Sequence, residues 1–142
     1  MFGKWFKRKS EPDVDEFGRT PLHYAAADGD SVLVQRLIAS GADVNALDVN
    51  RWTPLHFAAQ AVSATVAAKL IEAGANVAIR DRFGNTPLFR AVFSSSGDGS
   101  VIELLLSAGA DPNAPNESDV TPIKLARTIA NYDVAQFFRG IS

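Results

Sequence analysis

The sequence predicts an all-α solenoid of about four stacked helix pairs, joined by short turn fingers. Three landmarks recur in phase and carry that prediction. Thr-Pro-Leu-His stands at 20–23 and again at 53–56, Thr-Pro-Leu-Phe follows at 86–89, and Thr-Pro-Ile-Lys closes the series at 121–124. Gly-Ala-Asp/Asn follows in step at Gly41, Gly74 and Gly109. An acid or its amide, Asp15, Asp48, Asp81 and Asn116, stands five residues before each Thr. One such unit cannot bury its own apolar face, so neighbours must stack on it.

Each element follows from elementary propensities. Thr20, Thr53, Thr86 and Thr121 are placed as N-caps, each followed by Pro at the first helical position. In the first unit a short apolar helix runs to Ala27, a break follows at Asp28-Gly29-Asp30, and a second helix carries Val32, Leu33, Leu37 and Ile38 at helical spacing. Gly41, Gly74 and Gly109 fall where a helix wants a left-handed residue just past its end. Asp15-Glu16-Phe17-Gly18 and Asp81-Arg82-Phe83-Gly84 are turn sequences that project a finger. The pairs Ala25-Ala26 and Ala58-Ala59 allow close helix approach.

These landmarks resemble the ankyrin repeat, whose signature is Thr-Pro-Leu-His-x-Ala. The resemblance covers residues 13–142, with an ankyrin-repeat domain over 15–142 whose repeats start near Asp15, Asp48, Asp81 and Asn116. It implies a module that binds proteins. The fourth unit carries Lys124 for His and Arg127 for the second Ala, as a polar terminal repeat should.

Three departures stand out. Val62 replaces the inter-helix glycine, and Arg51 replaces the finger glycine, where either Arg51 or Asn50 takes the left-handed turn. The third unit carries two extra residues within 93–100, read as a longer, mobile loop and a second candidate site. Residues 1–14 form a basic, aromatic segment. In register, Phe2, Trp5 and Phe6 make a truncated helix capping the first repeat; the alternative is that residues 1–10 lie on a membrane surface.

Composition is that of an ordinary soluble globular protein, with 46% hydrophobic and 21% charged residues. There is no cysteine, which removes disulfides and thiolate chemistry and fits a reducing, cytoplasmic setting. The net charge is −2, from 14 Lys/Arg against 16 Asp/Glu. Four of the cations fall in residues 1–10, so the rest of the chain is acidic. That balance argues against nucleic-acid binding and suits a basic partner. No stretch is apolar enough to span a membrane, and the chain is expected to be a monomer.

No catalytic, metal or cofactor site is expected. His23 and His56, the two histidines, sit in the repeat motif, where the resemblance implies that the imidazole bonds the backbone and the Thr hydroxyl. The acids recur with the turns and do not pair. Asp111 to Glu117 fails the calcium-loop spacing, and Gly97-Asp98-Gly99 lacks the phosphate-loop pattern.

What remains is a surface. The resemblance implies docking on the concave side, built from finger tips and first-helix positions. Transferred by register, the partner-binding candidates are Phe17, Arg19, Asn50, Trp52, Arg82, Phe83, Asn85, Gln60 and Phe93. Large aromatics at positions that face solvent suit hot spots; packing on neighbouring fingers is the alternative reading. Tyr24 and Phe57 are expected to be half-buried. A compact, free-standing chain of this kind acts by occupying a partner, as an inhibitor or immunity protein, with a secreted or scaffold effector, or a membrane-associated adaptor, as alternatives.

Overall fold

A computed structural model describes residues 14–129 and 131–141. Among these described residues seven α-helices run in order: α1 Pro21–Ala27, α2 Ser31–Ala39, α3 Pro54–Gln60, α4 Ala64–Glu72, α5 Pro87–Ser94, α6 Ser100–Ser107 and α7 Pro122–Thr128. A 3-10 turn, Val134–Phe138, follows. The first helices α1, α3, α5 and α7 pack side by side in one layer, and α2, α4 and α6 form a second layer behind them.

The caps form where the sequence places them. Thr20, Thr53, Thr86 and Thr121 accept from the backbone N–H three residues on, at His23, His56, Phe89 and Lys124. Past α2, the Gly41 N–H reaches the Ile38 carbonyl and the Ala42 N–H reaches the Leu37 carbonyl, both at 3.0 Å. That double closure needs the left-handed residue that Gly41 supplies at φ +91°. The core runs unbroken along the stack through Leu22, Leu55, Leu88, Leu70 and Leu105, with Ala25, Ala26, Ala58 and Ala59 buried between helices.

Three expectations need correction, and one open alternative is resolved. In α2 the fully buried residue is Val34, while Val32 and Leu33 are exposed, because the stripe facing α1 and α4 passes through 34, 37 and 38. Arg51, not Asn50, takes the left-handed finger position, at φ +62°, and Val62 takes the left-handed break between α3 and α4, at φ +54°. The fourth repeat does not complete a helix pair: α7 ends at Ile129 in extended backbone, and the 3-10 turn anchors Val134 and Phe138 in the core instead of a second helix. The loop after α5 is packed on the fourth repeat. Ser95 is buried with its hydroxyl on the Val92 carbonyl, and Gly99 lies so close to the Phe137 ring that no side chain fits between them. The segment expected to cap the first repeat, residues 1–14, lies outside the described residues except for residue 14.

A candidate protein-binding groove

The fingers are built by one device repeated four times. Each Asp or Asn folds its own turn by accepting two backbone N–H groups on one oxygen. Asp15 takes Phe17 and Arg19, Asp48 takes Asn50 and Trp52, Asp81 takes Phe83 and Asn85, and Asn116 takes Ser118 and Val120, at 2.8–3.0 Å. Successive fingers then bond to one another. Val49 N–H donates to the Phe17 carbonyl, Arg82 N–H to Asn50, and Glu117 N–H to Phe83, at 2.9–3.0 Å. The finger tips therefore form a continuous row with fixed spacing.

The histidines join helices to fingers. His23 accepts from the Thr20 N–H on Nδ1 (3.0 Å) and so donates from Nε2 to the Trp52 carbonyl of the next finger at 2.9 Å. His56 repeats this with Thr53 and the Asn85 carbonyl. Burial favours the neutral ring in both, lowering the pKa of His23 and taking His56 down to about 4, against the opposing pull of the carbonyl each one bonds. A neutral, doubly bonded imidazole is a fastener between repeats. Phe89 and Lys124 occupy the same position in the third and fourth repeats. There the join passes to Asn116, whose amide donates to the Asn85 side chain at 2.9 Å, and to Arg80, which donates to the Pro115 carbonyl at 2.6 Å.

Between the finger row and the first helices lies a groove of about 260 Å³, lined by Arg19, Asp48, Asn50, Trp52, Phe57, Gln60, Phe83 and Arg90. Trp52 is half-buried on its floor, 4.8 Å from the Phe57 ring and 5.6 Å from the His56 ring. The Arg19 guanidinium lies 5.1 Å from the Phe17 ring and 5.2 Å from the Phe57 ring, and its Nε donates to Asp48 at 3.3 Å. Tyr24 donates its hydroxyl to Asp15, which raises the Tyr24 pKa. Across the groove Arg90 lies 5.0 Å from the Trp52 ring and 5.6 Å from the Phe93 ring.

Comparison with protein families places this architecture. The model described as ankyrin repeats (3 copies) matches residues 3–81 and 22–116. The chain belongs to the ankyrin-repeat family. These ankyrin matches stop at the start of the fourth repeat, which the structure shows as α7 and its 3-10 turn. Comparison with curated proteins gives no significant match. Ankyrin repeats are in general protein–protein interaction modules that carry no chemistry of their own. Among the described residues no helix is long and apolar enough to cross a membrane, and no cluster of His, Asp and Glu is arranged to hold a metal ion.

Of the candidates drawn from the sequence, the ankyrin groove gathers Arg19, Asn50, Trp52, Gln60 and Phe83. Phe83 and Phe93 are 61% and 64% exposed, and Phe17 is 47% exposed at the first finger. Arg82 is exposed at the third finger tip. Asn85 drops out: it is 5% exposed, its carbonyl is held by His56 and its side chain by Asn116, so a partner cannot reach it. Trp52 packs against Phe57 of α3, and the Arg90 guanidinium lies over its ring. Sequence reasoning missed Arg90, whose counterparts in register are Tyr24 and Phe57. The change from aromatic to cation at a repeating position is the feature that marks it.

Proposed function

We propose that the chain binds a partner protein through this groove, with Phe83 and Phe93 as the principal apolar contacts and Trp52 as the floor. The observation that carries the reading is the pair of large exposed aromatics flanking a groove whose walls are fixed by hydrogen bonds to the stack. A preformed surface loses little conformational freedom on binding, and exposed aromatics beside arginines are the usual anchors of interfaces. Action by occupancy follows, as an inhibitor or immunity protein that covers a working surface of its partner.

Capture from a native lysate tests this, comparing the wild type with Phe83→Ala/Phe93→Ala. Both side chains are mostly exposed, so the double variant keeps its fold, which a thermal melt checks. A partner held by the wild type and lost by the variant supports the groove, and the partner's own activity with and without added chain then tests inhibition. A partner held equally by both would move the site elsewhere.

A further inference from the structure

The charge of the groove is opposite to that of the chain. The acids of the two central fingers, Asp48 and Asp81, are buried and spend one oxygen each on folding the finger. The charged groups those fingers present outward are Arg51 and Arg82, both exposed. Behind them, α5 presents Arg90. None of these three has a salt-bridge partner among the described residues, whereas Arg19 is neutralised by Asp48. The exposed acids sit elsewhere, among them Glu16 at the first finger, Glu117 and Asp119 at the fourth, and Asp28, Asp30 and Glu103 around the helix ends.

Arg90 adds a specific feature to this field. It occupies the register of Tyr24, nine residues after the finger acid, and Tyr24 donates its hydroxyl to Asp15. In the third repeat the corresponding bond is not made, and both Asp81 Oδ2 and Arg90 Nε are buried without a hydrogen-bond partner. The guanidinium is drawn instead against the rings of Trp52 and Phe93. Aromatic rings take up the faces of a guanidinium and leave its in-plane edge of donors for an acceptor. Even a bond from Nε to Asp81 would leave the outer Nη edge unclaimed.

We propose that the groove receives an acidic segment of the partner protein. One partner carboxylate seats on the Nη edge of Arg90 above Trp52, and neighbouring acids meet Arg51 and Arg82 at the central finger tips. An aromatic or branched aliphatic side chain beside them covers Phe83 and Phe93. Guanidinium–carboxylate pairing is planar and directional, so a fork held against the Trp52 and Phe93 rings is pre-positioned for it. The expectation of a basic partner, drawn from net charge, is thereby reversed: net charge sums the whole surface, and the groove carries its own local sign. This inference rests on the groove being the binding site.

The test is selection of displayed random peptides, about twelve residues long, on the wild-type chain. Selected peptides are then titrated against Arg90→Gln, Arg82→Gln and Phe83→Ala. The expected result is enrichment of Asp or Glu beside an aromatic or aliphatic residue. Arg90→Gln then weakens binding by about tenfold or more, in the range of a lost charged hydrogen bond, Arg82→Gln weakens it several-fold, and affinity falls as salt rises from about 0.05 to about 0.5 M. Arg82 is exposed, so its variant remains informative if Arg90→Gln disturbs the fold. Peptides that need Phe83 but carry no acid, or carry Lys or Arg, would overturn the charge inference and leave the groove standing. Peptides indifferent to all three substitutions, or no enrichment at all, would overturn both.

Discussion

Acid reaches the unfolded chain at His56 before it reaches the fold. The ring is fully buried, accepts from the Thr53 N–H and donates to the Asn85 carbonyl, and burial takes its pKa from the ordinary 6.5 to about 4. The folded state therefore holds the neutral ring across the interval in which the unfolded chain takes up a proton. A group depressed in this way contributes its full stability above pH 6.5, and that contribution is lost as the pH falls towards 4. The interval corresponds to about 3 kcal/mol at 1.36 kcal/mol per unit, with no discount for solvent because the side chain is inaccessible. His23 shifts in the same direction and adds to the loss.

The assay is urea unfolding at a series of pH values from about 7.5 to about 4.5, on the wild type and on His56→Gln. Glutamine keeps a donor for the Asn85 carbonyl but cannot titrate. Carboxylates that begin to protonate at the acid end act equally on both proteins, so the difference between the two curves isolates His56. The wild type should be the more stable near pH 7.5, and its advantage should shrink by about 2–3 kcal/mol on acidification. A constant gap would show that the ring does not resist protonation. A gap that widens with acid would show that the charged ring is the bonded form, with Nδ1 donating to the Thr53 hydroxyl.

Three further outcomes follow from the same structure. Arg51→Gly relieves a side chain held at φ +62° on an exposed turn and should raise stability by about 0.5–1 kcal/mol, read from the urea midpoint; a loss would mean that Arg51 is held by more than the turn. Gly99→Ala forces a Cβ into the Phe137 ring and should cost about 1–3 kcal/mol, with hydrogen exchange accelerated first in the fourth repeat; unchanged exchange there would show that the loop is not what clamps it. Asn85→Ala leaves the Asn116 amide without its acceptor and should cost about 1–2 kcal/mol while peptide binding by the groove is retained; loss of binding at unchanged stability would restore Asn85 to the contact surface.

What could be read in the sequence was whatever a repeat must do alike in every copy. Thr caps, the proline after them, the glycine past the second helix and the finger acid each answer to a local bond, and local bonds leave local signatures. Longer-range placement left none. Whether Trp52 faces solvent depends on the Phe57 and Arg90 side chains contributed by α3 and α5, and Asn85 is buried because Asn116, 31 residues away, bonds to it. The two extra residues after α5 read as a mobile loop because nothing in their sequence announces Phe137. The missing second helix of the fourth repeat was equally silent, since Val134 and Phe138 satisfy a helical spacing and a 3-10 turn alike.

The division between scaffold and site is written in the register itself. Where the four copies agree, at the Thr, the Pro, the following Leu or Ile and the Ala three places after that, the residues are nearly all buried or bonded along the stack. The groove is lined mostly from positions where they disagree. The column of Arg19 continues as Trp52, Asn85 and Val120; that of Tyr24 as Phe57, Arg90 and Leu125; that of Ala27 as Gln60, Phe93 and Thr128. With the column of Phe17, Asn50, Phe83 and Ser118, these supply seven of the eight groove-lining residues, and the eighth, Asp48, is the finger acid that folds the turn. A solenoid places the same demand on a buried position in every repeat, so variation there is costly. On the groove each repeat meets a different part of the partner, so each position is free to differ. The replacement of an aromatic by Arg90 in the third copy is then a specialisation of the groove, because in that position the stack itself accepts Tyr, Phe or Leu.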